Sequence, residues 1–311
     1  MDAGKRRLSG APTRRALLLA NQKSRSGGDP ETVAGLLRDA GLDPLVPDGG
    51  SRDHAAQPRA HAGEVDRVVL AGGDGTMNAA APALLETGLP FAIIPLGTGN
   101  DLARTLGIPD DPAAAARVAA GDRLRAIDVG MANDIPFFNV ASIGFGVDLT
   151  RALTRDAKRR WGKLGYAAAA MRVLARMRPF TAEIRCGVGE PVRSRTVHVA
   201  VGNGRHYGGG MTVGEHSAID DGRFDVFSLE VGGIWSLLRL LPSLRRGDHG
   251  RWHEVMTAGG AEVEIRTRRR RSVNTDGEIT TRTPVVFRVR PGAVRVHVPE
   301  PELSGTAPPP G

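Results

Sequence analysis

Two short words in this 311-residue chain hold residue types that can do chemistry. The first, VVLAGGDGTMNAA, runs the apolar residues Val68 to Ala71 into Gly72, Gly73, Asp74, Gly75 and Thr76. A simple turn does not need three glycines around one acid. Glycine lets backbone N–H groups approach a ligand with no Cβ in the way, and a helix starting near Thr76 adds its positive N-terminal end. Such a loop suits a phosphate, but the Asp74 carboxylate would repel it. A divalent cation between the two, with Asp74 as a direct or water-mediated ligand, resolves the conflict. On this word alone, a glycine turn with an Asx-type cap is the plain alternative.

The second word, IIPLGTGNDLART, follows one strand later and has the same grammar: an apolar run, then Gly97, Thr98 and Gly99, then Asn100 and Asp101 at a helix start. Asp101 by itself would be an N-cap. Beside the first loop it becomes part of one site, because ligands of open α/β sheets bind beyond the carboxyl ends of adjacent strands. Neither word is the dinucleotide G-x-G-x-x-G fingerprint, and neither carries the Gly-Lys-Ser/Thr of a Walker A loop.

The elements that must position these loops are legible as apolar runs. ALLLAN, RVVLAGG and PFAIIPLG read as strands, with DPETVAGLLRDAG, TMNAAAPALLETG, NDLARTLG and PAAAARVAAGD as helices between or after them. Wholly apolar strands alternating with helices predict a parallel sheet covered on both faces. Asp29-Pro30 and Asp111-Pro112 mark helix N-caps with proline in the first turn. From Ile127 the pattern changes to short strands with Gly/Asp turns, the first turn at Asn133-Asp134, which predicts an antiparallel β-sandwich. The expected organisation is a disordered tail at 1–13, an α/β domain at 14–127, a β-rich domain at 128–300 and a second tail at 301–311. A helix over IWSLLRLLPSLRRGDH interrupts the later strands.

Lys and Arg outnumber Asp and Glu by 42 to 34, a net charge of +8. Nucleic acid, an anionic membrane or phosphorylated small molecules could answer that charge, as could a merely solvated Arg-rich surface. No RNP-like aromatic pattern, zinc spacing or basic heptad accompanies it, so no nucleic-acid partner is expected. The single Cys186 excludes an internal disulfide and fits a reducing cytoplasm. The run ALLLA after a basic start is too short for a secretion signal, and no segment approaches the ~20 apolar residues of a membrane span.

The two words, GGDGT and PLGTGNDLAR, resemble those of the diacylglycerol kinase catalytic family, above all its soluble bacterial lipid kinases. Further words follow in the family's order: NQKSRSGG with Asn21, Ser26 and Gly27 but Gln22 in place of proline; DVG at Asp128–Gly130; GNGRHYGGGM; SAIDDGRFDV; and NTDGEIT. The chain departs from the family near Pro47 and Asp48, where a threonine is usual and Ser51 is the nearby substitute. The resemblance implies an NAD kinase/diacylglycerol kinase-like α/β fold, ATP as phosphoryl donor and Mg²⁺. It implies a nucleotide site of Asn21, Gly72, Gly73, Asp74, Gly75, Thr76, Asn78, Gly97, Thr98, Asn100, Asp101 and Asp128. It also implies a structural metal held by Asp221 with the carbonyls of Ala218 and Arg223, and Glu278 as catalytic base together with Asp74.

A primary hydroxyl acceptor is weakly acidic, so a base must stand beside it, and Gly277 permits a tight turn that aims Glu278 inward. Asp276 is the expected turn-forming partner. The acceptor implied is diacylglycerol or a related lipid alcohol, which places the protein in the cytoplasm with transient peripheral contact at the inner, anionic membrane face; a homodimer is compatible. RDAKRRWGKLGY, with Lys158, Arg159, Arg160 and Lys163 around Trp161 and Tyr166, suits that surface, and Arg268–Arg271 is a second basic run. A kinase of a soluble metabolite, NAD above all, and a catalytically silent lipid or nucleotide sensor are the competing readings. His198, His206 and His216 lack metal-ligand spacing.

Overall fold

The computed structural model describes residues 14–21, 29–47, 54–144, 147, 178–204, 206–207, 211–212, 218–230 and 255–301. Ser26, Gly27, Asp48, Ser51, the basic-aromatic run around Trp161, His216 and the helix expected after Ile234 lie outside the described residues.

The first half alternates strand and helix as the apolar runs predict: β1 (Arg14–Ala20), α1 (Pro30–Asp39), β2 (Leu42–Leu45), α2 (Ala56–Ala60), β3 (Arg67–Gly72), α3 (Asp74–Thr87), β4 (Phe91–Pro95), α4 (Asp101–Thr105) and α5 (Pro112–Ala120). The Asp29 carboxylate accepts from Thr32 N and that of Asp111 from Ala114 N, so both expected caps form, each followed by proline. β1 to β4 pair in parallel in the order β2-β1-β3-β4. Strand β2 has no counterpart in the apolar pattern. Its Asp43 and Pro44 are poor strand formers, and it is tolerated because it lies at the sheet edge.

The second half holds β5 (Leu124–Ala132), β6 (Ile135–Phe137), β7 (Val140–Gly144), β8 (Phe180–Cys186), β9 (Val192–Thr196), β10 (His198–Gly202), β11 (His206–Tyr207), β12 (Met211–Thr212), β13 (Phe224–Leu229), β14 (Val255–Gly260), β15 (Glu262–Thr267), β16 (Ser272–Thr275), β17 (Glu278–Arg282) and β18 (Val285–His297). The parallel strands continue into β18-β15-β8-β9, with β5 and β6 attached through β18. A second, antiparallel sheet runs β14-β13-β10-β7-β16-β17. The two sheets enclose a core of Phe180, Ile184, Val263, Ile265 and Phe287 from one and Ile143, Val199, Val201, Phe224 and Val273 from the other. This is the expected sandwich.

Strand β18 belongs to both halves. Val285–Arg288 pairs with β15, the ladder with β5 shifts register between Arg290 and Val294, and Val296 then pairs in parallel with Phe91 of β4. Phe287 therefore sits in the sandwich core, while Val294, Val296 and Val298 join Leu17, Leu70 and Ile94 in the core of the parallel sheet. Chain order alone would divide the molecule near residue 127; the end of the chain instead returns to close the first core.

Inside the second sheet His198 is 5% exposed, 5.9 Å from the ring of Phe227. Burial pushes its imidazole down to about 4 from the usual 6.5. The unfolded chain protonates this group near pH 6.5 and the folded chain only near pH 4, so the stability it contributes is complete above pH 6.5 and lost as pH falls towards 4. We expect the urea midpoint to drop across that interval, and the drop to be shallower in His198→Gln; equal slopes in the two proteins would refute this origin.

Candidate active site

Sheet register brings the two glycine words together. Gly72 pairs with Pro95 at the ends of β3 and β4, and Leu96 N donates to Gly72 O at 3.0 Å. The loops then pack backbone on backbone. A Cβ on Gly97 would stand 2.5 Å from the Gly73 Cα and 2.6 Å from Asn100 Oδ1. Asn100, in the left-handed region at φ 51, clamps this turn: its Oδ1 accepts from Gly97 N and its Nδ2 donates to Gly97 O. Asn100 is thus a loop-shaping residue with a reason to be asparagine, which tolerates that conformation.

Asp74 opens α3 and reaches across to the second word. Its Oδ2 accepts from Asp101 N and its Oδ1 from Leu102 N, both at 3.2 Å, so it caps α4 from outside. The Asp101 carboxylate, 7% exposed as a residue, is 3.3 Å from Arg104. Both acids converge on Gly99, where a Cβ would lie 3.1 Å from Asp74 Oδ2 and 3.8 Å from Asp101 Oδ2. Two carboxylates beside exposed Gly75 and Thr98 form a hard-oxygen donor set of the kind Mg²⁺ takes.

Other expected members are placed differently. Thr76 is 2% exposed, its hydroxyl under Gly72 and accepting from Asn21 Nδ2 at 3.4 Å. That position packs the Thr76 side chain against the end of β3, because the helix turns it inward. Asn21 also donates its backbone N–H to Ala71 O, fixing the end of β1 against β3. Asn78 sits one turn into α3, with a buried Oδ1 that has no partner among the described residues. Asp128 is 2% exposed, its Oδ2 accepting from Gly222 N and its Oδ1 from Gly292 N. Those bonds tie the loop before β13 to the bend in β18.

Glu278 arrives from the second half of the chain. Asp276 and Gly277, at φ 46 and 94, form the two-residue turn of the β16–β17 hairpin, the Asp-Gly pair such turns favour. The Asp276 carboxylate accepts from three successive N–H groups, Phe138, Asn139 and Val140, at 2.7–3.2 Å. Enclosure pushes its pKa up to about 6 against the pull of those N–H groups, with the Asp74 charge adding to the rise. The hairpin so anchored leaves Glu278 exposed beside the glycine loop: Oε1 would be 3.8 Å from a Cβ on Gly75. Gly75 and Glu278, from opposite halves of the chain, share one mouth.

At the third expected site, Asp221 Oδ1 accepts from Arg223 N at 3.1 Å. Burial, with Asp225 and Asp128 adding, raises its pKa. An acid amid like charges with one N–H partner has room for a cation, and one carboxylate with the carbonyls of Ala218 and Arg223 would supply oxygen donors only. Among the described residues no group of three or more His, Cys, Asp or Glu side chains stands together to hold a metal unaided. The reading of single words missed Asn203, buried, whose Nδ2 donates to Asp128 O and Phe138 O. It lies in the GNG word, but nothing local signals a side chain that bridges two distant carbonyls.

Residues 15–132 match the diacylglycerol kinase catalytic domain, and residues 141–298 the YegS C-terminal NAD kinase beta sandwich-like domain. The chain belongs to the diacylglycerol kinase catalytic-domain family. Within this lipid kinase family its relatives include "Probable lipid kinase YegS-like" proteins. That of Pseudomonas fluorescens is 32% identical over 292 residues, covering 92% of this chain and 96% of the relative. That of Pseudomonas putida is 30% identical over 295 residues, with the same shares covered. A solved Bacillus anthracis structure assigned to the diacylglycerol kinases superposes with a TM-score of 0.79 at 26% identity, over 94% of this chain and 99% of that one. The family resemblance read from the ordered words is therefore borne out. No helix among the described residues is long and apolar enough to cross a membrane.

The Gly73–Gly97 contact carries a stability prediction. Gly97→Ala forces two backbones apart and should cost about 1–3 kcal/mol, the range of overpacked sites. Gly75→Ala meets nothing nearer than 3.8 Å and should change stability by less than about 0.5 kcal/mol. Urea titration of both variants checks the contrast.

Proposed function

We propose that this chain transfers the γ-phosphoryl group of ATP to the hydroxyl of a lipid alcohol, diacylglycerol or a relative of it. The observation that carries the reading is the Glu278 carboxylate at the mouth of the Gly73–Gly75 loop, beside the start of α3. Phosphoryl transfer asks mainly for positioning and charge neutralisation. Backbone N–H groups of the two glycine words and the helix end hold the phosphates, with Thr98 at the exposed rim. Asp74 and Asp101 would hold Mg²⁺, which when bound neutralises charge on the transferring phosphate oxygens. The Asp221 loop would hold a second, structural ion, with Asp128 keeping that loop in place.

Glu278 accepts the acceptor's hydroxyl proton as the new oxygen–phosphorus bond forms and the bond to the β-phosphate oxygen breaks, leaving ADP. Asp276 touches no substrate in this scheme. It positions Glu278 through the hairpin turn. An acceptor of this kind resides in a membrane, so the protein would work at the cytoplasmic face by peripheral contact. The product class, a phosphorylated lipid, fits phospholipid biosynthesis.

The test is to incubate the purified chain with labelled ATP, Mg²⁺ and either mixed micelles of lipid alcohols or NAD. Label in chloroform-soluble product supports the proposal; label in NADP, or ATP binding with no transfer to any acceptor, overturns it. Glu278→Gln should lower kcat by about 10²–10⁴, the usual contribution of a general base, with ATP affinity unchanged. A variant with full activity would remove Glu278 from the mechanism.

A further inference from the structure

The residue directly before Glu278 is a glycine, the residue type with the widest choice of backbone conformations. Gly277, at φ 94, is therefore a joint, and whatever fixes it limits where the Glu278 carboxylate can point. Asp-Gly favours a two-residue turn at this place, but a favoured turn does not by itself hold one orientation. In an exposed hairpin tip the N–H groups of the two turn residues can be left to water. Here both are taken up by the protein. Asp276 N donates to Val140 O at 2.9 Å, and Gly277 N donates to Asn274 Oδ1 at 2.9 Å.

Asn274 holds that joint from a rigid base. It is paired on both sides, with Ser142 of β7 and with Ile279 of β17, whereas β17 has β16 as its one sheet neighbour among the described residues. The arm that carries Glu278 is thus the less restrained of the two. Asn274 is 5% exposed, so its side chain reaches the exposed Gly277 from inside the fold. The ladder also shifts register between Val273 and Asn274, which leaves Thr280 as an extra residue in β17. The hydroxyls of Thr280 and Thr275 share a hydrogen bond of 2.9 Å across this bulge. Bulges bend a strand and re-aim the side chains beside them. This one lets Thr275 face Glu278 across the turn, and the bond from Gly277 to Asn274 fixes the result. A neutral amide does so without adding a charge beside Asp276 and Glu278.

We propose that Asn274 is a positioning residue for the transfer reaction: its amide oxygen fixes the Gly277 N–H and so sets the aim of Glu278. The proposal rests on the reading of Glu278 as the proton acceptor. Its role differs from that of Asp276, which holds the hairpin tip to the β6–β7 corner from outside. Asp276 fixes where the tip sits; Asn274 fixes how the peptide before the base is turned. A misplacement of about 1 Å costs on the order of a hundredfold in rate, so loss of this bond should lower kcat by about 10–10²-fold and leave the KM for ATP unchanged.

The first measurement is amide hydrogen exchange on the full chain, read at Gly277. Asn274→Ala should speed exchange there on the order of tenfold, the weight of one hydrogen bond. Val69 and Leu70, in the core of β3, should stay protected. Asn274→Asp keeps an oxygen at the same reach and should keep Gly277 protected. Asn274→Ser, whose oxygen stops one bond short, should exchange as the alanine variant does and replaces it if that variant fails to fold. Unchanged exchange at Gly277 in these two variants would overturn the proposal. The second measurement is a double-mutant cycle with Glu278→Gln, read as transfer to a detergent-dispersed lipid alcohol. Asn274→Ala should lower kcat in the parent and add nothing in the Glu278→Gln background, because a base that is gone cannot be misaimed. Equal loss in both backgrounds, or loss confined to the KM for ATP, would make Asn274 merely structural and overturn the proposal. The exchange reading needs no turnover, so a wrong assignment of the turn and a failure of the lipid kinase reading give different results.

Discussion

A carboxylate taken out of water must be met by donors, or it destabilises whatever encloses it. Asp276 meets that demand with the N–H groups of Phe138, Asn139 and Val140, three donors in a row where β6 turns into β7. The Asp276 N–H returns a bond to Val140 O. The hairpin tip is thereby held at the β6–β7 corner, and Glu278, two residues further on, is delivered beside Gly75. Enclosure raises the Asp276 pKa more than the three N–H groups lower it, and the Asp74 charge adds to the rise. The position of the base and the stability of the corner thus depend on the same four groups.

The two halves of the site have to be held at a fixed separation, and β18 does this by serving two cores. Its early residues pack with Phe137 and Phe224 in the sandwich, where the three phenylalanine rings stand 5.9–6.4 Å apart. Its late residues pack under the parallel sheet. Asp128 and Asn203 reinforce the seam: one receives N–H groups from the Asp221 loop and from the β18 bend, the other bridges the carbonyls of Asp128 and Phe138. Gly130 completes it, since a side chain there would collide with the Phe137 ring. The DVG word therefore works as a joint between domains, with a buried acid, a core valine and a glycine that makes room.

Local signals were strong wherever the chemistry is local. Apolar runs ending in glycine located β3 and β4, and the Asp-Pro pairs located α1 and α5, because caps and buried strands are written in consecutive residues. Asp-Gly at 276–277 marked a turn for the same reason. The signals failed for β2, whose Asp43 and Pro44 are allowed by an edge position, and they did not show that the Thr76 side chain lies under Gly72 of β3. They also failed for Asn203, since no spacing reveals a hydrogen bond to a carbonyl 75 residues away.

By itself the sequence determined the alternation of elements, the two glycine words and the identity of the acids, since backbone preference and side-chain chemistry belong to each residue. It also determined the family, through the order of words along nearly the whole chain. Tertiary structure alone decided that Gly73 and Gly97 touch, that Asp74 caps a helix in the other word, and that Glu278 stands at their mouth. Those facts depend on strand register and on long-range hydrogen bonds, which act between residues far apart in the chain and leave no periodic trace along it.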